Sequence, residues 1–81
     1  MNNELFIKQF LSGRSYGNYS NLRIDGNNLI NYSTIIATRI ESGLIDLNIR
    51  KYSRSTTNIQ NILKRNATIR TEYEGKPAFI W

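Results

Sequence analysis

Thr34–Ile49, TIIATRIESGLIDLNI, is the stretch that decides the fold. Two alternating, β-branched runs flank Ser42-Gly43, and a two-residue turn containing glycine between such runs signals a hairpin. Counting outward from that turn sets Ile40 opposite Ile45, Thr38 opposite Leu47 and Ile36 opposite Ile49 on one face. The other face sets Arg39 opposite Asp46, an opposite-charge pair that accounts for Arg39 without a ligand. On an exposed face such a pair contributes under about 1 kcal/mol, so the turn and the apolar register define the hairpin.

Upstream lies a second hairpin. Leu22 and Ile24 alternate with Arg23, and Asp25-Gly26-Asn27-Asn28 has turn chemistry because Gly and Asn tolerate positive φ. A three-residue loop over Gly26, Asn27 and Asn28 is expected, with Ile24 opposite Ile30 and Leu22 opposite Tyr32. Arg14 to Asn18 reads as a loop, since Gly13 and Gly17 both interrupt regular structure. At the N-terminus Asn2 or Asn3 caps a helix, and Phe6, Ile7, Phe10 and Leu11 form its apolar stripe up to a stop at Gly13.

Downstream, Thr57 with Gln60 reads as a capping box opening a second helix, whose inner stripe is Ile59, Ile62 and Leu63. Asn58, Asn61, Lys64 and Arg65 then face outward. The tail alternates again, with Ile69, Thr71 and Tyr73 on one side and Arg70, Glu72 and Glu74 on the other. Gly75-Lys76-Pro77 makes a turn, and Ala78–Trp81 is expected to return as a final strand. The fold class is therefore α+β, one domain over residues 1–81: helix, an antiparallel sheet of two hairpins, second helix, C-terminal strand or hairpin. Its expected core joins Ile36, Ile40, Ile45, Leu47 and Ile49 to Phe6, Phe10, Ile59 and Leu63.

Charge is distributed unevenly along this frame. Leu47–Thr71 carries Arg50, Lys51, Arg54, Lys64, Arg65 and Arg70 with no acidic residue, within a chain of net charge +5. Lys64 and Arg65 lie in the last helical turn, where the helix dipole favours cations. Arg50, Lys51 and Arg54 have no such account, and the window reads as a surface for phosphates or an acidic partner.

Composition removes other classes. With no Cys and no His, disulfides and the usual zinc sites are excluded, and a reducing compartment is expected. Hydrophobic residues are 40% of the chain, enough for a core and too many for a disordered tail. No apolar run is long enough for a transmembrane helix, and Met1-Asn2-Asn3-Glu4 lacks the pattern of a secretion signal. The Asn-X-Ser/Thr triplets at Asn18, Asn31 and Asn66 then have little meaning for glycosylation. Catalysis also lacks parts. Asp25 belongs to a turn, Asp46 to Arg39, and Glu72 with Glu74 reads as a solvated strand face beside Arg70. Neither Gly13 nor Gly17 is followed by the Lys-Ser/Thr of a phosphate loop. The expectation is a non-enzyme with no cofactor and no metal.

Ile24-Asp25-Gly26-Asn27-Asn28-Leu29, then Tyr32–Ala37, Leu47-Asn48, Lys51-Tyr52-Ser53, Thr56-Thr57 and Gln60 together resemble a family of small uncharacterised proteins of bacteriophages and plasmids. Members pair a Gly-Asn-x-Leu-x-x-Tyr hairpin with a Lys-Tyr-Ser-x-x-Thr turn before a helix, and the match spans Arg23 to Arg65. The resemblance implies a mobile-element origin and action in the bacterial host cytoplasm. In such proteins, inhibition of host defence, CRISPR effectors included, is a recurring job. The element order also begins like a double-stranded-RNA-binding domain, but Thr56-Thr57-Asn58-Ile59-Gln60 stands where that family has a Lys-Lys-x-Ala-Lys block.

Two classes of function follow. In one, Arg50, Lys51, Arg54, Lys64, Arg65 and Arg70 bind nucleic acid or a host nucleoprotein complex, with Tyr52 available for stacking. In the other, the chain is a protein-binding module using Tyr16, Tyr19, Tyr52 and Trp81 as anchors, or a small transcriptional regulator.

Overall fold

A computed structural model describes residues 1–75. Helix α1 (Asn3–Ser12) leads into β1 (Tyr16–Tyr19), β2 (Leu22–Asp25), β3 (Asn28–Asn31), β4 (Thr34–Glu41) and β5 (Leu44–Asn48). Helix α2 (Arg54–Asn66) and β6 (Thr68–Tyr73) follow. The strands form one six-stranded sheet in the order β1-β2-β3-β4-β5-β6. The first five pair antiparallel, and β6 pairs parallel to β5. A parallel neighbour needs a long crossover, and α2 supplies it. The α+β class and the order helix, sheet, helix, strand are as the sequence implies. Residues 76–77 of the expected turn and the strand expected over 78–81 lie outside the described residues.

The termini of α1 follow local chemistry. Asn2 caps it by accepting from the Leu5 amide at 2.8 Å, and Gly13 ends it at φ 126°. Phe6, Ile7, Phe10 and Leu11 are buried against the sheet together with Ile59, Ile62 and Leu63 of α2. From the strands this core takes Leu22, Ile24, Leu29, Ile36, Ala37, Ile45 and Leu47, with Ile49 partly buried beside it.

Four details of the sheet differ from the sequence reading. Tyr16–Tyr19 is a strand rather than a loop. It covers the free edge of β2, and the Tyr19 ring packs at a tilt against Phe6 with ring centroids 5.9 Å apart. Gly17 suits this position because its backbone is at φ 136°, where an L side chain is strained.

The first hairpin turns over two residues, not three. Asp25 pairs with Asn28, Ile24 with Leu29 and Leu22 with Asn31, with Gly26 at φ 64° in the turn. Tyr32 consequently leaves the strand. The tighter turn sets Leu22, Ile24 and Leu29 on the helix-covered face, where each loses its water-exposed surface.

The second hairpin turns at Ser42-Gly43 as expected, but Ile40 is an extra residue in β4. Arg39 thus pairs with Ile45, Thr38 with Asp46 and Ala37 with Leu47. Ile40 moves out of the core and is 41% exposed. A second irregularity, at Ile36 against β3, lets Ile36 and Ala37 both enter the core.

Arg39 gives the physical reason for the shift at Ile40. It is 8% exposed, its guanidinium sits 5.1 Å from the Phe10 ring centroid, and it donates to the carbonyls of Phe10 and Arg14 and to Asn27 Oδ1. A cation that satisfies carbonyls at the end of α1 is favoured by the helix dipole. Arg39 is structural, as expected, but its partners are carbonyls and an amide rather than Asp46.

Candidate functional site

The segment between β5 and α2 has no regular structure and is held by two buried amides. Asn48 is fully buried, and its side chain uses both its donors and both its acceptor positions. It donates to the Ile35 carbonyl at 3.1 Å and to Tyr52 Oη at 2.9 Å, and accepts from the amides of Arg50 at 3.0 Å and Gly75 at 3.2 Å. From α2, Gln60 Nε2 donates to the carbonyls of Asn48 at 2.8 Å and Arg50 at 2.9 Å. Backbone groups that no strand or helix satisfies are thereby paired.

This pairing corrects the expected helix start. Ser53, not Thr57, caps α2; its hydroxyl accepts from the Thr56 amide at 3.3 Å. Thr57 lies inside the first turn and donates to the Ser53 carbonyl at 3.1 Å. Gln60 faces inward because the loop carbonyls need its amide, so it forms no capping box. Thr56 reaches Asn31 Oδ1 at 2.7 Å and ties α2 to β3.

The expected site residues separate into groups. Lys51, Arg54 and Lys64 are exposed and have no ion-pair partner among the described residues. Arg50 is exposed, with its guanidinium 5.8 Å from the Tyr52 ring centroid. Arg65 makes a loose, exposed pair with Glu4 at 3.8 Å. Arg70 is different: it clamps Asp46 through Nε at 2.9 Å and Nη2 at 2.8 Å. The Asp46 assigned to Arg39 by the simple register thus belongs to Arg70. Parallel pairing of β6 brings the two together, and Arg70 is the extra residue of β6 at that point.

On α2 the positions Arg54, Asn58, Asn61 and Arg65 follow at i, i+4, i+7 and i+11, and all four are exposed. They form one outward line about 16 Å long, with Lys64 beside its end. No carboxylate lies on α2. Asn58, Asn61, Lys64 and Arg65 thus face outward as their spacing predicts.

No protein-family model, curated protein or solved structure matches this chain. Within the chain, four residues around the start of α2 have visible structural tasks. Tyr52 meets Asn48, Ser53 caps α2, Thr56 meets Asn31, and Gln60 holds the loop.

Tyr32 is a further residue that sequence reasoning misplaced. It stands in the two-residue turn between Asn31 and Thr34 at φ 59°, and is 61% exposed. Together with Tyr52 it borders a groove lined by Asn31, Thr34, Ser53, Ser55 and Thr56. The available signal was Asn31-Tyr32-Ser33-Thr34, whose Asn and Ser are turn formers.

Ionisation follows from the pairs. Hydrogen bonds from Arg70 hold the Asp46 carboxyl below its ordinary 3.8. The Asn66 amide, with the charges of Arg65 and Lys8, holds Glu4 below its ordinary 4.5. Burial pushes the Tyr73 hydroxyl above its ordinary 10.0, with Tyr52 and Asp46 adding to the effect. The two carboxylates stabilise the fold above their ordinary values, a contribution lost as pH falls through the lowered ones. Tyr73 acts in the opposite sense, and its contribution is lost as pH rises through the raised value. With no His in the chain, the urea midpoint is expected to be flat from about pH 5 to about pH 9 and to fall on either side. Midpoints measured across that range check this; a steep change between about pH 6 and 8 would contradict it.

Proposed function

We propose that this chain is a non-enzymatic module that binds nucleic acid, free or within a host nucleoprotein complex, through the 50–54 segment and the outer line of α2. The observation that carries the reading is the placement of Lys51 and Arg54 at the start of α2 and of Lys64 about 15 Å along it: all three are exposed and without an ion-pair partner among the described residues. Folding gives no reason for Arg54, which occupies the first turn of α2, where the helix dipole disfavours a cation. Phosphates give one. Asn58 and Asn61 on the same line add neutral donors for phosphate oxygens or base edges.

The resemblance to phage and plasmid proteins supports a mobile-element origin, action in the bacterial cytoplasm, and a defence nucleoprotein of the CRISPR type as the partner class. The lack of Cys and His supports a binding role over catalysis. A protein-binding role draws on the exposed tyrosines, Tyr16 above all at 76%. It leaves the carboxylate-free line of α2 without a task.

The test is anisotropy of a labelled mixed-sequence oligonucleotide titrated at several salt concentrations. The log of affinity is expected to fall with log salt by about 0.7–0.9 per phosphate neutralised. Replacing Lys51, Arg54 and Lys64 together with Ser is expected to reduce the slope by about 2–3. The melting temperature should stay close to the parent's, because exposed charges contribute little to stability. Undiminished affinity and slope in the triple variant would reduce the surface to a solvated face.

A further inference from the structure

We propose that the groove bordered by Tyr32 and Tyr52 takes an unpaired nucleobase, so that the nucleic acid bound by this chain is single-stranded. The inference rests on the nucleic-acid reading above and narrows it to one strand state.

Tyr32 is the first reason. Its backbone is in the left-handed region at φ 59°, a conformation that an aromatic residue adopts under strain and that Asn or Gly adopts readily. The residue is 61% exposed, so burial does not offset that strain. Its one side-chain hydrogen bond, accepted from Asn21 Nδ2 at 3.0 Å, is itself exposed. The two-residue turn requires the positive φ, as it does at Ser20 between β1 and β2, but it does not require a tyrosine, and a large exposed ring at such a position points to a role outside folding.

Tyr52 is the second reason. Its hydroxyl is held by the buried Asn48 amide at 2.9 Å, which fixes the ring while leaving the residue 38% exposed. The Arg50 guanidinium lies 5.8 Å from the ring centroid. A fixed aromatic face beside a guanidinium is a stacking platform of the kind single strands use. Between the two tyrosines, Asn31, Thr34, Ser53, Ser55 and Thr56 line the groove; Asn31 and Thr56 are paired with each other and Ser53 caps α2, which leaves the hydroxyls of Thr34 and Ser55 to meet a base edge. Lys51 and Arg54 flank Tyr52-Ser53 in the chain, in place for the phosphates on either side of a stacked base. A base within a duplex has both faces covered by its neighbours and cannot enter such a groove.

The experiment compares one labelled sequence as single-stranded DNA, as single-stranded RNA and as duplex DNA, by anisotropy at matched salt. Either single strand is expected to bind at least about tenfold more tightly than the duplex. Tyr32→Asn removes the ring and suits the backbone; it is expected to weaken single-strand binding by about tenfold without lowering the melting temperature. Tyr32→Phe keeps the ring and is expected to keep the affinity. Equal affinity for duplex and single strand, or an unchanged single-strand affinity in Tyr32→Asn, would overturn the groove while leaving the basic surface standing. Absence of salt-dependent binding to any of the three probes would overturn both.

Discussion

Asn48→Asp is expected to destabilise the fold by about 3–5 kcal/mol, a large share of the roughly 5–15 kcal/mol of a natural domain. The substitution is nearly isosteric, so packing stays the same and the effect is polar. Asp keeps an acceptor for the amides of Arg50 and Gly75. It turns the other position from donor to acceptor, opposite the Ile35 carbonyl and Tyr52 Oη. Tyr52 can rotate its proton to donate, but the Ile35 carbonyl cannot respond. A carboxylate then stands fully buried against a carbonyl oxygen. The measurement is urea unfolding followed by circular dichroism at several pH values. The variant should recover stability as pH falls to about 5, because burial raises the new carboxyl's pKa and its protonated form restores a donor. The parent should show no gain over the same interval. A loss below about 1 kcal/mol at neutral pH would mean that the 49–53 segment does not depend on this amide.

Leu47→Ala is expected to cost about 2–5 kcal/mol. Leu47 is fully buried on β5, with β4 paired on one side and β6 on the other. Its neighbours are hydrogen-bonded into the sheet and have little freedom to close the cavity. Ile40→Ala is the informative companion. In an unshifted hairpin Ile40 lies opposite Ile45 in the core and would show a comparable loss. With Ile40 bulged out and 41% exposed, the loss is expected to stay below about 1 kcal/mol. Comparable losses in both variants would restore the simple register and move Arg39 off the end of α1.

Features readable in the chain are those decided within a few residues. Asn2 and Gly13 bound α1 because capping and positive φ are local requirements, and the stripe Phe6, Ile7, Phe10 and Leu11 repeats with the helical period. Ser42-Gly43 turns the hairpin for the same reason, with Gly43 at φ 76°. The outward line of Asn58, Asn61, Lys64 and Arg65 follows from helix geometry once Ile59, Ile62 and Leu63 face inward. The basic window between Asp46 and Glu72 is a count that needs no structure.

Tertiary structure decided whatever depends on the far side of a contact. Tyr16–Tyr19 has no apolar alternation and becomes a strand because β2 offers an unpaired edge. Ile40 is pushed out because Arg39 finds carbonyls at the end of α1, residues far away in sequence. Asp46 meets Arg70 because α2 returns the chain parallel to β5. Ser53 wins the cap from Thr57 because Gln60 is drawn inward by the carbonyls of Asn48 and Arg50. In the basic window the same distinction holds: charge could be counted in the chain, but which cations lack an ion-pair partner, and that Tyr32 stands over the groove beside Tyr52, followed only from packing. Local signals act through backbone conformation over three or four residues, whereas register and ion pairing are set by the partner surface that the rest of the fold presents.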